Sequence, residues 1–147
     1  MYKRILLAYD GSESGRKALL DSLDIAQWSN ASIHLVAVMP RPELLVMGSM
    51  DAGAYVQPDT ESAQRPYRAV LEDGLRQLAA GGLDVAGEIL VGDSVEEITR
   101  QAIKIDADLI VVGHKHLDGW AARWWSGDRS PALIEHAPCS VLVAISR

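Results

Sequence analysis

Residues 4–12 read Arg4-Ile5-Leu6-Leu7-Ala8-Tyr9-Asp10-Gly11-Ser12, an apolar run of strand length closed by a turn-forming triplet. Beyond the turn the period changes, and Ala18, Leu19, Leu23 and Ala26 stand at helical spacing. A strand that is apolar at successive positions, rather than at every second one, has no face to offer to water and must be covered on both sides. The same unit recurs along the chain. Ser32 to Met39 (SIHLVAVM) is a second apolar strand, stopped by Pro40 and Pro42, which have no amide donor for a ladder. Leu109-Ile110-Val111-Val112-Gly113 and Ser140 to Ile145 (SVLVAI) read as two more.

The segments between these strands supply helices. Tyr67, Leu71, Gly74, Leu75 and Leu78 form one apolar stripe, and Gly81-Gly82 is its stop signal. Residues 84–91 alternate apolar and polar, which suits a strand near the sheet edge with one face exposed. Ser94 with Glu97 reads as a capping box ahead of the stripe Val95, Ile98, Ala102 and Ile105. Residues 132–136 close a further helix. Residues 40–61 show no sustained period and are expected to form a long surface loop. Strand-helix alternation with short connections predicts an α/β fold: an open five-stranded parallel sheet with helices on both faces, because right-handed crossovers place them there. No repeat or linker divides the chain, so residues 1–147 are expected to form a single domain.

Composition agrees with that frame and removes several functions. The 147 residues are 48% apolar and include four Trp, four Tyr and no Phe, so the core must be aliphatic. Fourteen basic against twenty acidic residues leave a formal charge of −6 with no Lys/Arg-rich block, which argues against nucleic acid as a partner. No apolar run approaches the roughly 20 residues of a spanning helix, so no membrane is expected as a partner. The lone Cys139 cannot form an internal disulfide, and the amino terminus runs straight into a strand; a cytoplasmic address is the expectation.

In such sheets, ligands collect outside the carboxyl ends of the strands, where strand order reverses. Those ends are Asp10-Gly11-Ser12, Val38-Met39, Val91-Gly92-Asp93 and Gly113-His114-Lys115-His116. Neither the P-loop pattern nor the spaced glycines of a dinucleotide fingerprint is present. Four motifs in this order nevertheless resemble the universal stress protein family: residues 5–12, the Val91-Gly92-Asp93 turn, Ala107-Asp108-Leu109-Ile110-Val111-Val112-Gly113, and His136-Ala137-Pro138-Cys139-Ser140-Val141-Leu142-Val143. The resemblance implies a Rossmann-like sheet in order 3-2-1-4-5, a homodimer through the last strand (Ser140 to Ile145), and a role in stress tolerance. Many members of the family bind ATP and others do not.

By the same resemblance, the adenosine of a nucleotide would be held by Asp10 and the Val38 backbone, and the phosphates by a loop written G-x2-G-x9-G-S/T. Gly113 matches the first glycine. The second position is His116, the spacing to Gly127 is one residue too long, and Asp128 stands where a hydroxyl is expected. A phosphate seeks free amides without negative charge nearby. Two unit charges about 4 Å apart at an effective dielectric near 20 interact by roughly 4 kcal/mol, so an ionised Asp128 opposes a triphosphate strongly. Lys115 and Arg129 can offset it, and Asp128 is also read as an N-cap for the turn carrying Ser130 and Pro131.

The candidate cofactor-binding set is therefore Asp10, Gly11, Ser12, Val38, Gly113, Lys115, His116, Gly127, Asp128, Arg129 and Ser130. It supports a degenerate adenine-nucleotide site in a homodimeric stress-response binding protein with no required cofactor. The alternative is an ATP or AMP sensor in which Lys115, His116, Arg129 and Ser130 rebuild the phosphate contacts.

Other residues admit a structural reading beside a functional one. Asp10 before Gly-Ser is also a simple turn residue. His114 and His116 share a loop with Lys115 and would ligate a transition metal only if His34, Asp10 or Asp118 came within reach, the basis of a third class, metal-dependent hydrolysis. His136 suits a helix carboxyl end, and Cys139 is expected to be buried and inert. Trp120, Trp124 and Trp125 stand at i, i+4 and i+5, fitting a helical turn packed on the protein or an apolar anchor for an unidentified protein partner. No Ser-His-Asp, Cys-His or paired-carboxylate arrangement has local support, so catalysis is not indicated.

Overall fold

A computed structural model describes residues 1–41, 60–115 and 130–146. The elements run β1 (Arg4–Ala8), α1 (Glu13–Ser29), β2 (Ser32–Met39), α2 (Thr60–Ala80), β3 (Val85–Val91), α3 (Ser94–Lys104), β4 (Leu109–Lys115), α4 (Ser130–His136) and β5 (Ser140–Ser146). They build one five-stranded sheet in order β3-β2-β1-β4-β5, every neighbouring pair parallel. The expected α/β architecture and strand order are both present.

The continuous apolar runs are explained by where successive side chains go. Ile5, Leu7, Leu35 and Val111 pack on one face with Leu19 and Ala26 of α1 and Leu71 and Leu78 of α2. Leu6, Val36, Ile110 and Val112 point to the other, against Val95, Ile98 and Ala102 of α3 and Leu133 of α4. Leu6, Leu7 and Leu35 have no exposed surface, and truncating any one of them to alanine would cost about 2–5 kcal/mol. β3 lies at the edge with most of its residues only half-buried, as its alternation predicts. Among the described residues no helix is long and apolar enough to cross a membrane.

Local readings needed correction at two places, the cap of α3 and the end of β4. The cap of α3 is Asp93, whose carboxylate accepts the Glu96 amide at 3.1 Å, and not Ser94 of the expected Ser94–Glu97 box. Ser94 is already helical, because the chain leaves β3 through Gly92 at φ 145° and the next extended residue is Asp93. The helix before Gly81 begins at Thr60, level with the expected end of the loop, and carries Pro66 inside it; residues 42–59 of that loop lie outside the described residues. β4 continues two residues beyond Gly113, so that His114 pairs with Ile145 and Lys115 with Ser146. Those two residues belong to the sheet rather than to a loop, because β5 extends one residue past Ile145 and supplies a ladder partner.

Candidate binding site at the carboxyl ends of the strands

β1 and β4 are neighbours, and the connections leave them in opposite directions, so the switch point lies between Asp10 and Gly113. The Asp10 carboxylate folds back onto its own turn. It accepts the Ser12 amide at 2.9 Å and the Ser12 hydroxyl. The Ser12 oxygen in turn accepts the Gly15 amide at 3.1 Å as the N-cap of α1. Since the Ser12 proton goes to Asp10, the Ser14 hydroxyl, 3.1 Å away, is the donor in that contact. Asp10 therefore serves the helix start and stays exposed.

Gly113 is held by packing. A methyl group there would lie 2.3 Å from the Ser14 carbonyl oxygen and 2.7 Å from the Gly15 nitrogen. The missing side chain lets β4 close on the first turn of α1, and this brings Gly113 to the same two residues that the Asp10 turn orders.

A cleft of about 530 Å³ opens between the end of β2 and the start of α3. Val38, Pro40 and Arg41 line one side; Gly92, Asp93, Ser94 and Glu96 line the other. The Gly92 amide donates to the Met39 carbonyl at 2.9 Å and so fixes the two walls relative to each other. The Glu97 side chain lies across Gly92, 3.0 Å from where a β-carbon would sit, and Arg100 pairs with its carboxylate. The cleft thus combines a partly apolar wall with two carboxylates and one guanidinium, and one amide of the α3 amino end is already taken by Asp93.

Of the sequence-predicted set, Asp10 and Ser12 order the first turn of α1, on which Gly113 packs through Ser14 and Gly15; Gly11 lies beside Val70 of α2, and Val38 lines the cleft. Lys115 ends β4, and Ser130 opens α4. His116, Gly127, Asp128 and Arg129 lie outside the described residues, as do Trp120, Trp124 and Trp125. Pro40, Arg41, Ser94 and Glu96 were not singled out from sequence as ligand contacts. Their only signal was proximity to two strand ends.

The suggestion that His34 could complete a metal site with His114 is overturned by the register, while His116 and Asp118 lie outside the described residues. His34 is level with Leu6, and Leu6 with Ile110, so His114 lies four residues further along and two strands across. That is about 13 Å along the strand and about 10 Å sideways. Among the described residues no three His, Cys, Asp or Glu side chains cluster as ligands. Cys139 is half-buried rather than fully buried, and burial, reinforced by the Asp108 carboxylate, raises its thiol pKa.

Three comparisons bear on this architecture. The family model described as the universal stress protein family matches residues 1–144. The stress response protein NhaX of Bacillus subtilis is 30% identical over 132 residues, covering 76% of this chain and 80% of its own. A solved universal stress protein family member from Burkholderia pseudomallei superposes with a TM-score of 0.71 at 26% identity, covering 97% of this chain and 95% of that one. A solved universal stress protein in complex with cAMP also gives a TM-score of 0.71, at 21% identity and with 99% and 98% of the two chains covered.

Proposed function

This chain belongs to the universal stress protein family, and on that premise we propose that it is a stress-response binding protein whose adenine-nucleotide site is degenerate, acting through protein contacts as a homodimer. The observation that carries the reading is the sign of the charge around the cleft. Asp93 and Glu96 line the cleft together with one guanidinium, Arg41, and the Asp93 carboxylate already holds the Glu96 amide. In the sequence, Asp128 places a further carboxylate where the family's phosphate loop carries a hydroxyl. An adenosine finds backbone and apolar wall at Val38 and Gly92, but a triphosphate meets carboxylates and an occupied helix amide. Binding energy is then available for the uncharged end of a nucleotide and opposed at the charged end.

The homodimer reading is supported by β5, an edge strand in which Val141, Leu142 and Val143 are only partly buried and Ile145 is 48% exposed. An apolar edge left unpaired invites association. Light scattering coupled to size exclusion should return twice the chain mass; a monomer at all concentrations would remove this part.

Calorimetry with micromolar ATP should give no signal, and protein released by denaturation should yield no nucleotide to mass spectrometry. Asp128→Ser should strengthen ATP binding. A tight ATP complex of the unaltered protein would end the reading and favour the second one, a sensor whose phosphate contacts are rebuilt by Lys115, His116, Arg129 and Ser130. The relative crystallised with cAMP keeps that second reading in view, since its ligand is an adenine nucleotide with a single phosphate.

A further inference from the structure

We propose that His34, Glu88 and Gln101 form a binding site for one borderline divalent transition-metal ion, of the Zn2+, Co2+ or Ni2+ class, separate from the cleft. The three residues come from three elements. His34 is on β2 and Glu88 on β3, both on the sheet face that carries Val36 and Leu90, and Gln101 is on the α3 helix that covers this face. Their polar ends converge. The His34 Nε2 lies 3.0 Å from the Glu88 Oε1 and 3.0 Å from the Gln101 amide nitrogen, and that nitrogen also contacts the Glu88 Oε1.

Hydrogen bonding accounts for only part of this convergence. The His34 Nε2 either donates to Glu88 or accepts from Gln101; it cannot do both. If both nitrogens donate to the carboxylate, two N–H groups sit side by side, 3.0 Å apart, with nothing between them. A cation resolves the conflict. Bonds from His nitrogen or carboxylate oxygen to zinc are about 2.0–2.2 Å, so two ligands at a right angle around the ion stand about 3.0 Å apart, the separation of the His34 Nε2 from each of the other two atoms.

Turning the Gln101 amide over presents its oxygen instead of its nitrogen, completing an imidazole, carboxylate and amide-oxygen set. Imidazole selects borderline ions over Mg2+ and Ca2+. Gln101 is 5% exposed and anchored in the core, whereas the His34 and Glu88 side chains are 21% and 38% exposed, leaving the outer side open to the ion and to water ligands. The bound ion would clamp the edge strand β3 to α3.

The test uses the purified full chain, stripped with a chelator and titrated with CoCl2 by visible absorption and with ZnCl2 by calorimetry. One ion per chain is expected, with Zn2+ displacing Co2+. His34→Ala and Glu88→Gln should each weaken binding at least about tenfold, while His116→Ala and His136→Ala leave it unchanged. Gln101→Glu, nearly isosteric, adds a charged ligand and should tighten binding, which protects the test against a variant that merely misfolds. No uptake at millimolar Co2+, or uptake that survives His34→Ala, or uptake lost in His116→Ala, would overturn the assignment. None of these outcomes depends on whether a nucleotide binds.

Discussion

Replacing Gly113 by alanine tests whether this position, which the family pattern would give to a phosphate, is set by packing. The added methyl would fall 2.3 Å from the Ser14 carbonyl oxygen, 2.4 Å from its carbon and 2.7 Å from the Gly15 nitrogen. All three are backbone atoms of the first turn of α1, a turn already fixed by the Asp10–Ser12–Gly15 hydrogen bonds. No side-chain rotation relieves the clash, so β4 and α1 must separate. Overpacking of a tight interface costs about 1–3 kcal/mol, and rigid neighbours place this case near the upper end, about 3 kcal/mol. For 147 residues the unfolding entropy near 60 °C is roughly 0.3 kcal/mol per degree, so Tm should fall by about 10 °C. Urea denaturation should show the same loss at an unchanged slope. Gly82→Ala is the comparison: its methyl would meet nothing within 4 Å, although φ is +77°, so only backbone strain of about 1–2 kcal/mol is expected. A Gly113→Ala protein within 1 kcal/mol of the parent would refute the packing argument.

Three further outcomes are expected. Asp93→Ala should destabilise by about 1 kcal/mol through loss of the α3 cap, whereas Ser94→Ala should stay within about 0.5 kcal/mol; equal effects in urea titrations would reinstate Ser94 as the cap. The Asp108 carboxylate accepts the Lys3 and Arg4 amides at 2.8 and 3.0 Å, so Asp108→Ala should cost about 1–3 kcal/mol and accelerate hydrogen exchange at those two amides. The Cys139 thiol pKa is raised above 9.0 by burial and by Asp108. The unfolded chain therefore loses this proton first, so the thiol's contribution to stability is whole below pH 9 and disappears as pH rises through the folded value. Stability curves of parent and Cys139→Ser should diverge only in that alkaline window, and parallel curves would contradict the shift.

The candidate site was legible in outline. Asp10 and Val38 read as strand-end residues and lie at the ends of β1 and β2, whereas Gly113 lies two residues short of the end of β4. The glycine at 113 was read for close approach of a ligand, but its near neighbour is the Ser14–Gly15 backbone, which local sequence does not reveal. The cap of α3 was missed by one residue because Ser94 and Asp93 are both good caps, and only the extended backbone at Asp93 decides between them. Arg41 and Glu96 line one cleft because the pairing of β2 with β3 brings the end of β2 beside the turn that leads into α3.

What the sequence determined by itself is the alternation of strands and helices, the parallel sheet and the exposed edge at β3. These follow from the solvation of consecutive side chains: a run of Ile, Leu and Val needs cover on both faces wherever it ends up. What only the tertiary structure decided is which distant atoms meet. The convergence of His34, Glu88 and Gln101, the pressing of Gly113 on α1 and the walls of the cleft depend on register and helix docking. Both are settled by contacts summed over the whole core, and neither is written in the spacing of neighbouring residues.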